Sequence, residues 1–421
     1  MKKIIKTSLK AVLCLILSVL IGTALLTAVF LIPTDGIKEN LVSSAEVISQ
    51  EGTYPDSPLT GRLDNFTDSI MLLEAGHDCP DSLLEHVMLV KRDIVSGKNP
   101  VDSLTAIYLE GETEHYPVTY ERYWHGYLVF LKPLLTFMDY SAIRVLNGAV
   151  QIILILITVF LFIKRRYYNL IAPYLLAVLL LKPVGVFNSL QYSSCFYVMA
   201  LSVIALLLLK NVKKHALYVF LFAGIATAYF DFLTYPLATY GIAAAIYFVI
   251  TADTLKGKII DFLKISIPWC FGYIGMWASK WILSIFFIEG DTTTNLIKHL
   301  LMRSSLSADS ESEYNLWNAL YKNVYEVIYN NISSVFICAF VIISLIIMIV
   351  MYKRTGKLSL NHIRNILPLL CIFAIPFMWY AVTINHSVVH FWFTNRELVV
   401  SAFAGMCLFA PIPRKTKLIR S

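Results

Sequence analysis

Apolar stretches long enough to cross a bilayer recur along the whole chain, at 11–32, 143–163, 168–186, 190–209, 216–232, 237–251, 262–287, 332–352, 365–385 and 397–412. This pattern predicts an all-α polytopic membrane protein of about ten transmembrane helices. The first stretch follows the basic flank "MKKIIKTSLK". It is longer than a signal-peptide core and no A-x-A site follows at once, so it reads as a retained span. Two polar segments interrupt the series, at 33–142 and 288–331.

The first of these has a pattern of its own. "DSIMLLEA" and "DSLLEHVMLVKRDIV" space their apolar residues as helices do, with Asp and Ser at N-cap positions. "YWHGYLVFLKPLLTFM", 123–138, is apolar but too short to span and contains Pro133. It reads as a half-inserted juxtamembrane helix anchored by Tyr123 and Trp124. No internal repeat or low-complexity segment is present.

Composition agrees with the pattern. Of the 421 residues, 57% are hydrophobic and 15% charged, with a mean hydropathy of +0.67, too apolar for one soluble core. Cys79 is alone in a polar segment while the other cysteines lie in or beside apolar runs, so no disulfide framework is available.

The formal charge of +7 changes meaning once its distribution is read. With the N-terminus inside, the inside segments hold Lys2, Lys3, Lys6 and Lys10, then Lys164, Arg165 and Arg166, then Lys210, Lys213 and Lys214. Further along they hold Lys256, Lys258 and Lys264, then Lys353, Arg354, Lys357 and Arg364, and finally Arg414, Lys415, Lys417 and Arg420. Asp253 and Asp261 are the only acids among them. Every inside segment is therefore basic, which predicts both termini inside and places 33–142 and 288–331 on the exterior of the plasma membrane. The basic excess is a topology signal and gives no footprint for nucleic acid.

Candidate chemistry gathers on that exterior face. "RLDNFTDSIML", 62–72, places Asp64 and Asp68 four residues apart, on one face of a helix. Read as a helix start, Asp64 is a cap and Asp68 a solvent-facing first-turn acid. Read as chemistry, either is a general base. Asp231 sits among aromatics at the outer end of the fifth span, a depth at which an ionisable residue suggests function. "NHSVVHFWFTNREL", 385–398, adds His386, His390 and Arg396. The two histidines lack a third metal ligand and no H-E-x-x-H pattern exists, so no metal site is assigned. His and Arg suit a phosphate or an acceptor hydroxyl better. Arg122 and His125 stand at the same level, and Arg144 opens the second span. Lys182 and Lys280 lie near the outer ends of theirs, placed to snorkel or to meet a lipid phosphate.

This architecture resembles the GT-C superfamily of integral-membrane glycosyltransferases. These have many spans, a long first exterior loop with juxtamembrane helices, and an acidic catalytic base shortly after the first span. "LDNFTD" occupies that place here, without the adjacent acidic pair of other members. The resemblance implies transfer of a sugar from a polyprenyl-phosphate donor to a cell-envelope glycan or lipid-linked acceptor, with inversion. It implies Asp64 or Asp68 as base, with His386, His390, Arg396, Asp231, Arg122, His125, Lys182 and Lys280 as substrate-binding candidates. A divalent cation, Mg²⁺ or Mn²⁺, is left open. Two other classes compete. A transporter or flippase predicts charges at mid-membrane depth and matched broken helices, whereas the charges here collect on one face. An acyltransferase or polymer ligase would place its histidine within reach of a cytosolic donor.

Overall fold

A computed structural model of the chain describes residues 2–78, 82–251, 255–287, 314–329 and 360–409, with positions 335, 339, 342 and 346. It is 79% helical. Four helices are long and apolar enough to cross a membrane, within Ile5–Phe30, Tyr140–Lys164, Leu190–Leu208 and Lys256–Phe287. Tyr168–Leu180, Leu237–Ile250 and Ile366–Val382 are shorter apolar helices. The protein is a helical, membrane-embedded protein. The expected span at 332–352, Cys79 and most of the second exterior segment lie wholly or largely outside the described residues.

In chain order, α1 (Lys2–Phe30) leads into α2 (Asp35–Glu51) and α3 (Asn65–Gly76). Next come α4 (Leu83–Leu89), β1 (Arg92–Val95), α5 (Pro100–Thr105), β2 (His115–Val118) and α6 (Leu128–Leu135). The apolar series continues with α7 (Tyr140–Lys164), α8 (Ile171–Leu180), α9 (Pro183–Asn188), α10 (Leu190–Leu208), α11 (Val212–Phe230), α12 (Leu237–Ile250) and α13 (Leu255–Phe287). It closes with α14 (Leu316–Tyr329), α15 (Leu360–Val382), α16 (Ile384–Val389), α17 (Phe391–Thr394) and α18 (Leu398–Phe409).

Three expectations change. The helical reading of 81–95 holds only for α4. Arg92–Val95 instead pairs antiparallel with His115–Val118 as a two-stranded ribbon, and the β-branched Ile94 and Val95 suit a strand. The helix expected over 123–138 is only the eight residues of α6, because Gly126 and the left-handed His125 (φ 55°) end any helix before Leu128. The span expected at 168–186 breaks at Lys182, which takes φ 54°, and α9 starts afresh at Pro183. Proline disfavours the α conformation in the residue before it, so the break follows from the Lys182–Pro183 step.

Small residues allow close crossings in the apolar layer. A β-carbon on Gly224 of α11 would lie 2.1 Å from the Trp269 carbonyl oxygen, and one on Gly272 of α13 would lie 2.4 Å from that of Leu221. The two backbones touch, the packing expected where lipid supplies no hydrophobic drive between helices. One apolar core surrounds α8, α10, α12 and α18. A second joins the end of α1 to α2, α3, α4, α6 and the end of α11, so the first polar segment is a packed body docked on the spans. A small third core of Ala319, Tyr380, Val388 and Leu398 holds α14 against α15, α16 and α18.

Candidate functional site

α3 starts at Asp64, whose side chain accepts the Thr67 amide at 3.0 Å as an N-cap. The helix start is not solvated, since Asp64 is 3% exposed. Tyr54 lies beside it, stacked with Phe66 (ring centroids 6.3 Å apart) and edge-on to Trp392 (5.4 Å). The Arg62 guanidinium covers the Trp392 and Phe391 rings at 5.4 and 5.7 Å. Burial pushes the pKa of Asp64 up to about 6. The Thr67 amide opposes the rise and the neighbouring Asp68 carboxylate adds to it. Burial beside Asp64 also lifts the Tyr54 phenol to about 12.

The facing wall comes from the α8–α9 break and from the "NHSVVHFWFTNREL" segment. Arg396 lies flat on the Tyr192 ring, 3.9 Å from its centroid. It donates to the Trp392 carbonyl at 2.9 Å and to the Leu181 carbonyl at 3.4 Å. Tyr192 donates to the Arg62 carbonyl at 2.9 Å, so it ties the Asp64 strand of the site to the arginine. Lys182 pairs with Glu326 of α14 at 3.5 Å. His390 stacks on Phe393 at 5.1 Å and meets Trp392 edge-on. His386 lies 4.9 Å from it, and its Nε2 donates to the Leu233 carbonyl at 2.9 Å. Tyr192 and Trp392 thus connect the segment before Asp64 to Arg396, with His390 against Trp392 and Lys182 held by Glu326.

Other expected residues are placed elsewhere. Asp68 does not face solvent. It is fully buried and accepts from the Tyr140 hydroxyl, the amides of Leu190 (2.9 Å) and Gln191 (3.0 Å), and the Ser189 hydroxyl (3.3 Å). It caps the N-terminus of α10 from 122 residues upstream. Burial still raises its pKa against those donors. Asp231 stands at the end of the fifth apolar stretch, as expected, but inside the fold. It is buried at the C-terminus of α11, where it accepts the Thr234 amide at 2.9 Å and fixes the turn into α12.

Arg122, His125 and Lys280 belong to a second cluster. His125 is buried against Glu74 (3.1 Å), the Tyr127 hydroxyl (2.9 Å) and the Tyr120 carbonyl (2.7 Å). Arg122 lies over the Tyr120 ring at 4.9 Å. Lys280 neither snorkels nor reaches the lipid surface. It is fully buried, donates to the Val87 carbonyl at 2.7 Å and sits 5.4 Å from the Trp124 ring, fastening α13 to α4. Arg144 forks onto Glu51 at 2.5 and 2.9 Å, joining α7 to α2. Burial raises the Glu51 pKa, but the Arg144 hydrogen bonds and charge outweigh it and hold the pKa below the ordinary value.

Sequence reasoning missed Tyr54, Tyr192, Glu74 and Glu326. Glu326 had a signal, as the one acid in α14. Among the described residues, no three His, Cys, Asp or Glu side chains gather as a metal would require. The groups around Asp64 are cationic and aromatic, so the site does not fit Mg²⁺ or Mn²⁺ and no step is routed through either. Comparison with protein-family models, curated proteins and solved structures finds no match for this chain.

Proposed function

We propose that the protein is a polytopic glycosyltransferase of about ten spans with both termini inside. It would act at the exterior face of the plasma membrane on a sugar carried by polyprenyl phosphate. The observation that carries this reading is Asp64 itself: a buried carboxylate with a raised pKa beside the Tyr54 and Trp392 rings, at a helix start that Tyr192 ties to Arg396. In the proposed step Asp64 takes the proton of an acceptor hydroxyl. That oxygen attacks the anomeric carbon, and the bond from the sugar to the phosphate breaks with inversion. Arg396 and Lys182 meet the charge that appears on the leaving phosphate. Tyr54, Phe66 and Trp392 offer ring faces to the sugar.

An apolar groove of about 860 Å³, lined by none of Asp64, Lys182, His390 and Arg396, is roomy enough for the hydrocarbon chain of such a substrate. It runs from Met71 on α3 past Phe130, Ile143, Leu190 and Phe222 to Leu209. It lies along α7, α10 and α11, the place for a long hydrocarbon chain at membrane depth.

The test is sugar transfer from radiolabelled polyprenyl-phosphate donors in membranes containing the wild type, Asp64→Asn or Asp68→Asn at equal protein level. Loss of transfer in Asp64→Asn alone is the expected result. Full transfer in Asp64→Asn removes it as base, and full transfer in both variants removes the mechanism.

A further inference from the structure

α14 has two faces. Trp317, Tyr321 and Tyr325 recur every fourth residue, and with Ile328 they form one exposed stripe in which Trp317 is 74% exposed. On the opposite side Ala319, Asn323 and Glu326 are buried. Asn323 donates to the Ser387 carbonyl at 2.9 Å and accepts from the Thr394 hydroxyl at 2.7 Å, and Glu326 holds Lys182. These bonds fix the depth of the helix. They pin α14 where α15 ends at Val382, with the Tyr380 hydroxyl donating to the Thr394 carbonyl beside them.

We infer that α14 is an interfacial helix whose Trp317–Tyr321–Tyr325–Ile328 face is seated in the lipid leaflet on the Asp64 side. The chemistry of its exposed face selects lipid over a protein partner. Its exposed stripe is rich in Trp and Tyr, the side chains that concentrate at the membrane–water boundary. Lys322 flanks the stripe, with its ammonium 5.9 Å from the Phe391 ring, at headgroup level. Because the same helix carries Glu326 to Lys182, contact with lipid positions a side chain of the site. The inference stands apart from the reaction proposed for that site.

The experiment reads Trp317 alone, as the difference in fluorescence between the full chain and Trp317→Phe. Both are reconstituted in phosphatidylcholine vesicles, with or without lipids brominated along the acyl chain. The expected result is that the Trp317 share of the emission is blue-shifted, is quenched several-fold by the brominated lipid and resists aqueous iodide. Quenching by iodide and not by bromolipid would place the face in water and overturn the inference. Protection from both quenchers would show protein covering the face and overturn it equally. Tyr321→Trp in the Trp317→Phe background repeats the reading one turn along the helix, and its disagreement with Trp317 would also count against it.

Discussion

Asp64 is a residue whose removal should stabilise the protein that depends on it. A carboxyl group with an ordinary pKa of 3.8, held at about 6 in the folded state, is costly to ionise there. One pKa unit corresponds to about 1.4 kcal/mol, so keeping Asp64 charged near neutral pH costs folding on the order of 3 kcal/mol. Asn preserves the shape and the cap on the Thr67 amide, since Asn and Asp cap helices about equally well. Asp64→Asn should therefore raise stability near neutral pH by up to ~3 kcal/mol while abolishing transfer. The sign follows from proton binding. The folded wild type holds this proton more tightly than the unfolded chain, so acid favours its folded state. The advantage of the variant must shrink to roughly half at about pH 5 and nearly vanish at about pH 4. Thermal unfolding of both proteins in one detergent across that range, followed by intrinsic fluorescence, measures it. A variant less stable at neutral pH, or a difference that ignores pH, would refute the argument that burial sets the Asp64 proton affinity.

Further outcomes follow from the same geometry. Transfer catalysed by Asp64 should lose rate as the pH drops through about 6, read as the acid limb of kcat/KM. Arg396→Lys should cost at least about tenfold in transfer and also lower thermal stability, because an ammonium cannot both cover Tyr192 and donate to the Trp392 and Leu181 carbonyls. Asp68→Asn should act on folding, since its NH2 group meets one of the Leu190 and Gln191 N–H groups with a donor where an acceptor stood. A loss of about 1–3 kcal/mol in unfolding is expected. Gly185→Ala should displace the 57–61 loop and lower both stability and transfer, because a β-carbon there would lie 2.1 Å from the Thr60 carbonyl oxygen, beside Lys182. The Glu51–Arg144 pair should be lost on acidification. The Glu51 pKa is depressed, so its contribution is present above the ordinary carboxylate range and disappears as the pH falls through it, a transition that Glu51→Gln removes from the melting profile.

How much of this was readable in the chain depends on distance along it. Hydropathy located the four long apolar helices because periodicity and length are local properties, and the Asp64 cap was legible for the same reason. The break at Lys182 was half legible, since Pro183 and Gly185 mark an interruption without saying that it would carry Lys182 to Glu326. The ribbon at 92–95 was hidden because its partner strand lies some twenty residues on, where no local pattern announces it. Asp68 misled most. Nothing near it in sequence reveals that its ligands are the amides of 190 and 191. The division of Arg122, His125 and Lys280 from the Asp64 cluster was equally invisible, because charge patterns report a side of the membrane and not a position on it.

The bond from Asp68 to α10 also constrains the order of assembly. Asp68 is synthesised long before Leu190, in a polar segment that packs as a body against the apolar helices. Until that body docks, the first amides of α10 are without their acceptor. Formation of the apolar helices and docking of the polar segment are thus separate events joined by one carboxylate. A chain stalled between them would expose a frayed helix end for quality-control proteases to recognise.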